Sequence, residues 1–82
     1  MKAKIDLRYQ QEYNKNMFGE RLKELRKENN ITQQQLSDSL GCSQSMIARW
    51  ESGECEPTES VIKKVAEYFS VSADYLLGIS EV

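Results

Sequence analysis

The chain has 82 residues, 39% hydrophobic and 29% charged, a balance that suits one small globular domain and excludes a disordered tail. No apolar run approaches the ~20 residues that span a bilayer, and the N-terminal MKAKIDLRYQ lacks the apolar core of a secretory signal, so a cytoplasmic location and no membrane partner are expected. Histidine is absent, only Cys42 and Cys55 could bind a soft metal, and net charge is −2, so neither a metal site nor a strongly basic surface is expected.

Residues 1–17 read as an N-terminal arm. Ile5, Leu7 and Tyr9 alternate with Lys4, Asp6, Arg8 and Gln10, the period of a short strand, although Tyr9, Tyr13 and Met17 also keep a helical spacing of four. The reading favours an extended arm with one strand. It carries Lys2, Lys4, Arg8 and Lys15 against Asp6 and Glu12, a charge of +2, which leaves −4 on the remaining residues.

From Phe18 to Val82 the pattern is helical and well punctuated, which makes the fold class all-α with five helices. Phe18, Leu22 and Leu25 form one stripe of a first helix that ends near Asn29 and Asn30. Thr32 caps a second helix with Leu36 and Leu40 inward, and Gly41 supplies the positive φ on leaving it. Ser43 caps a third, with Ile47 and Trp50 inward, which Gly53 ends. Thr58 caps the most apolar helix, whose stripe is Val61, Ile62, Val65, Ala66 and Phe69, and Ser72 caps a last turn containing Tyr75, Leu76 and Leu77.

Two short helices joined by a glycine turn, over residues 33–52, make a helix-turn-helix. Its second helix presents Gln44, Ser45, Ala48 and Arg49 outward, small or hydrogen-bonding residues on one face. A glutamine amide pairs with adenine N6 and N7, an arginine with guanine O6 and N7, and a serine with either, so these four are the candidate base readers of double-stranded DNA. Gln33 and Ser43 sit at helix N-termini, where free N–H groups favour phosphate; Thr32 and Ser52 join them as positioning residues. Capping alone accounts equally well for Thr32 and Ser43.

Residues 18–79, about three-quarters of the chain, resemble the Cro and lambda-repressor family of prokaryotic regulators, also called the XRE family. The resemblance rests on FGERLKELRKENNITQQQLSDSLGCSQSMIARWESG and on the closing VSADYLLG. It implies a lambda-repressor-like domain that regulates transcription by binding DNA. It implies that Gln33 braces Gln44, which grips an adenine while touching a phosphate. It also implies an ion pair between Arg26 and Glu51 that ties the recognition helix to the core. Two departures stand out. Ser37 replaces the usual alanine, and Glu54-Cys55-Glu56 replaces a loop that more often carries Lys or Arg toward phosphate. Positive charge is then expected from Arg21, Lys23, Lys27 and the arm.

The function expected is a sequence-specific regulator, in particular a repressor acting as a homodimer on a pseudo-palindromic operator, because one recognition helix covers few base pairs. The last turn, Tyr75 to Ile79, is the expected dimer surface. The alternative is a protein-interaction module such as an antitoxin or adaptor, to which the acidic body and the Ile5–Leu7–Tyr9 stripe point. An enzyme is not expected, since there is no histidine, Gly-rich phosphate loop or metal cluster. No cofactor and no small-molecule ligand are expected either. The chain ends at Val82, so no second domain for ligand sensing is expected. Cys42 is expected to be inert packing and Cys55 to be the more exposed thiol.

Overall fold

A computed structural model describes residues 17–79, and the expectations for the arm's strand therefore lie outside the described residues. Five helices follow in chain order: α1 (Met17–Glu28), α2 (Gln33–Leu40), α3 (Gln44–Ser52), α4 (Glu59–Phe69) and α5 (Ala73–Leu76). Among the described residues there is no strand, and the all-α, five-helix reading holds. α1 starts one residue before the expected boundary, at Met17.

The punctuation works as local chemistry dictates. Thr32, Ser43, Thr58 and Ser72 all have extended backbone and accept, through their hydroxyl oxygens, the N–H three residues on. Each such cap is worth about 1 kcal/mol against alanine. At α2 the arrangement is reciprocal, because Gln35 Oε1 accepts the Thr32 N–H at 2.8 Å. Gly41 ends α2 with φ +77° and open space where a Cβ would lie, so its requirement is conformational. Ser70 ends α4 in the same left-handed region, φ +58°, without being glycine.

All five helices contribute to one core. α1 supplies Phe18, Leu22 and Leu25; α2 Leu36 and Leu40; α3 Ile47 and Trp50; α4 Val65; α5 Leu76. Phe18 meets Trp50 edge to face, ring centroids 6.4 Å apart, which joins α1 to α3. α5 closes the molecule against α1: Arg21 lies over the Tyr75 ring at 4.1 Å, and a Cβ at Gly78 would come within 2.5 Å of the Met17 side chain. On α4 only Val65 is fully buried, whereas Val61, Ile62, Ala66 and Phe69 pack half-buried around it. A domain this small lacks a second layer to cover both flanks of so wide a stripe.

Cys42 and Cys55 are both free and both half-buried against the core, so the expected contrast in exposure is not found. Burial pushes the Cys42 thiol up from its ordinary value, more than the nearby Lys64 lowers it. No helix among the described residues is long and apolar enough to cross a membrane.

Candidate nucleic-acid interface

Packing across the turn decides which side of α3 faces outward. Leu36 and Leu40 of α2 and Ile47 and Trp50 of α3 are buried in the same cluster, and this fixes the rotation of α3 about its axis. Ser37 lies fully buried where alanine was expected. Its hydroxyl donates to the Gln34 carbonyl at 2.8 Å, so the extra polar atom is satisfied within its own helix. At about 100° per residue, burying Ile47, Trp50 and Glu51 turns Ser45, Arg49 and Ser52 outward. Gln44, seven residues before Glu51, stands above it on the flank. Gln44, Ser45, Arg49 and Ser52 are exposed; Ala48 is half-buried at the edge of the face rather than at its centre.

Two residues of other helices and two of α3 form a single polar network. Arg26 of α1 grips Glu51 with a forked contact, Nε to Oε2 at 2.6 Å and Nη2 to Oε1 at 3.0 Å, and donates Nη1 to the Ile31 carbonyl at 3.1 Å. The two side chains are only 12% and 5% exposed. The hydrogen bond to Glu51 holds the Arg26 pKa above its ordinary value, outweighing the opposite effect of burial. Glu51 Oε1 also accepts from Gln33 Nε2 at 3.0 Å, and Gln33 Oε1 in turn accepts from Gln44 Nε2 at 2.5 Å. The chain Arg26–Glu51–Gln33–Gln44 thus runs from a buried ion pair to an exposed amide.

The hydroxyl residues are largely occupied. Thr32 and Ser43 cap their helices, and Ser43 also shares a 3.2 Å contact with Ser45. The Ser52 hydroxyl donates to the Arg49 carbonyl and accepts the Glu54 N–H, which holds the end of α3. What α2 and α3 leave open is the N–H groups of their first turns, beside the Thr32 and Ser43 caps. A shallow groove in front of them is lined by Lys27, Asn30, Thr32, Gln33, Gln34 and Gln44. Among the described residues, Lys27 is the cation of that lining without a hydrogen bond or ion pair, because Arg26 is engaged with Glu51. Beyond α3 the exposed Glu54 and Glu56 give the opposite edge negative charge. The Arg49 guanidinium has no hydrogen bond or ion pair among the described residues.

Residues 22–76 match the family model described as helix-turn-helix, which is most of the described chain. The chain belongs to the XRE-type helix-turn-helix family. Among family members it is 40% identical over 65 residues to the HTH-type transcriptional activator BcrR of Enterococcus faecalis, covering 79% of this chain and 32% of that protein. It is 41% identical over 59 residues to the cryptic phage CTXphi transcriptional repressor RstR of Vibrio cholerae, covering 72% of this chain and 53% of the relative. The chain therefore spans only about a third to a half of the length of these curated relatives. It also superposes on the P22 c2 repressor, solved in complex with a synthetic operator, with a TM-score of 0.72 and 33% identity, covering 77% of this chain and 96% of that one. The lambda-repressor-like fold expected from the sequence is the fold of this family member.

One contact escaped the sequence reading: Gln33 to Glu51, which turns a brace and an ion pair into one network. The two residues are eighteen apart on different helices, a separation that carries no periodic signal.

Proposed function

We propose that this chain is a sequence-specific double-stranded DNA-binding regulator, a repressor that acts as a homodimer on a pseudo-palindromic operator. The observation that carries this reading is the face of α3, where Gln44, Ser45 and Arg49 stand exposed and Gln44 is held by Gln33. An isolated surface glutamine samples many rotamers, whereas one restrained before binding loses less entropy when it pairs with a base. Gln44 is assigned to an adenine and Arg49, unpaired among the described residues, to a guanine, with Ser45 and Ala48 at the adjoining base edges. Gln33, Thr32 and Ser43 take the phosphates, with Lys27 in the groove beside Thr32 and Gln33. Ser52 serves the site by holding the end of α3. Family membership supports the reading, since the relatives are named as transcriptional regulators and the P22 c2 repressor is held on an operator.

Ile79, 59% exposed beyond α5, is the apolar group offered to a second copy, while Leu76 of the same turn is fully buried. Dimerisation brings two α3 helices to half-sites about 34 Å apart. The test is selection of bound sequences from random duplexes with the full-length chain. The expected result is a palindromic motif with fixed half-site spacing and an adenine and a guanine in each half. Absence of any enriched sequence would overturn this reading in favour of a protein-interaction module.

A further inference from the structure

An amide side chain has a donor end and an acceptor end of nearly equal shape, and its orientation is set by its neighbours. At Gln33 the neighbour leaves no choice. A carboxylate oxygen only accepts, and Glu51 Oε1, buried and 3.0 Å from Gln33, must therefore face the Gln33 Nε2 group. That turns Gln33 Oε1 toward Gln44, so Gln44 must present its own Nε2 to the contact. Arg26 holds Glu51 in place from the other side through the forked pair.

We infer that Glu51 is a positioning residue for base reading, fixing through Gln33 which end of the Gln44 amide faces the DNA and so selecting adenine over guanine. The inference rests on the proposal that α3 reads bases. In the enforced orientation Gln44 commits one N–H to Gln33 and keeps Oε1 and its second N–H outward. One acceptor and one donor complement adenine, which offers the N6 amino group and N7. Reversing both amides would give the Gln44 oxygen to Gln33 and leave two N–H donors outward, the complement of guanine O6 and N7. Steric fit hardly distinguishes the two arrangements; the carboxylate does. Arg49, with no partner among the described residues, lies outside the relay.

The test measures full-length protein binding to synthetic duplexes of its selected operator, with each base in turn at the positions assigned to Gln44 and Arg49. Glu51→Gln replaces the pure acceptor with a group that can donate or accept. It is expected to shrink the preference for adenine over guanine at the Gln44 position by roughly tenfold, while preference at the Arg49 position stays within about twofold. Because this change also weakens the pair with Arg26, Gln33→Ala is the companion: it keeps that pair, removes the relay, and is expected to relax the same position alone. Circular dichroism checks that both variants are folded. If both keep the full preference for adenine, or lose preference at the two positions in parallel, the relay is overturned. Should the unmodified protein prefer no sequence, or Gln44→Ala leave its preference unchanged, the base-reading proposal itself fails and the relay with it.

Discussion

Ser70 holds the left-handed backbone at the end of α4, φ +58° and ψ +44°, and donates its N–H to the carbonyls of Ala66 and Glu67. An L-residue with a Cβ is strained there by about 1–2 kcal/mol, and glycine is not, although glycine also makes the unfolded chain more flexible. Ser70→Gly is therefore expected to stabilise the domain by roughly 0.5–1 kcal/mol, seen as a higher urea midpoint with an unchanged slope. No change or a loss would mean that the strain is relieved elsewhere. This residue also marks where sequence reading stops. Thr32, Ser43, Thr58 and Ser72 were readable as caps because capping is a contact over three residues, and Gly41 because only glycine enters that conformation freely. A serine at a helix end has no such signature, and the stop at Ser70 is seen in the backbone, where the N–H groups of Ser70 and Val71 turn back to the carbonyls of Glu67 and Ala66.

At the scale of elements, Arg26 and Glu51 fasten α1 to α3, and Gln33 adds α2 to the same carboxylate. The resemblance made the pair foreseeable, but the route from it to Gln44 depends on the distance between helices, which no spacing within the chain encodes. Arg26→Met would leave Glu51 nearly buried without its cation. The expected cost is near the lower end of the roughly 3–5 kcal/mol seen when one partner of a buried pair is removed, because Arg26 keeps some exposure. The double variant Arg26→Met/Glu51→Leu should recover most of that stability, since an apolar pair of similar volume is often neutral. Denaturant unfolding of the two variants checks this, and a double variant no more stable than the single one would count against it. The pair should add little pH dependence from its arginine. The Arg26 pKa is raised in the folded state, so its contribution is complete below the ordinary value and is lost only as pH rises through the strongly alkaline range.

Taken whole, the molecule is an acidic protein presenting a face suited to an anionic partner. Its net charge is −2, and the loop after α3 carries Glu54 and Glu56, both exposed. Each phosphate neutralised contributes about −0.9 to the slope of log affinity against log salt. With Arg26 engaged by Glu51, few cations among the described residues, Lys27 and Arg49 foremost, are left for the DNA side, and the basic arm expected to add to them lies outside those residues. The slope for a dimer is then expected to be no steeper than about −6, and specific binding must rest more on the α3 face than on counterion release. Replacing Glu54 and Glu56 together by Lys tests the cause. If that loop runs beside the phosphates, the change should steepen the slope by about 2 per copy at most and tighten binding to operator and unrelated DNA alike. Titrations of full-length protein at several salt concentrations, on both kinds of duplex, measure the two effects together. An unchanged slope would place the acidic loop away from the backbone and return the shallow salt dependence to the engagement of Arg21 with Tyr75 and of Arg26 with Glu51, which leaves fewer α1 cations for phosphate. A gain confined to the operator would instead mean that the loop bears on base recognition, because a contact with phosphate cannot tell one sequence from another.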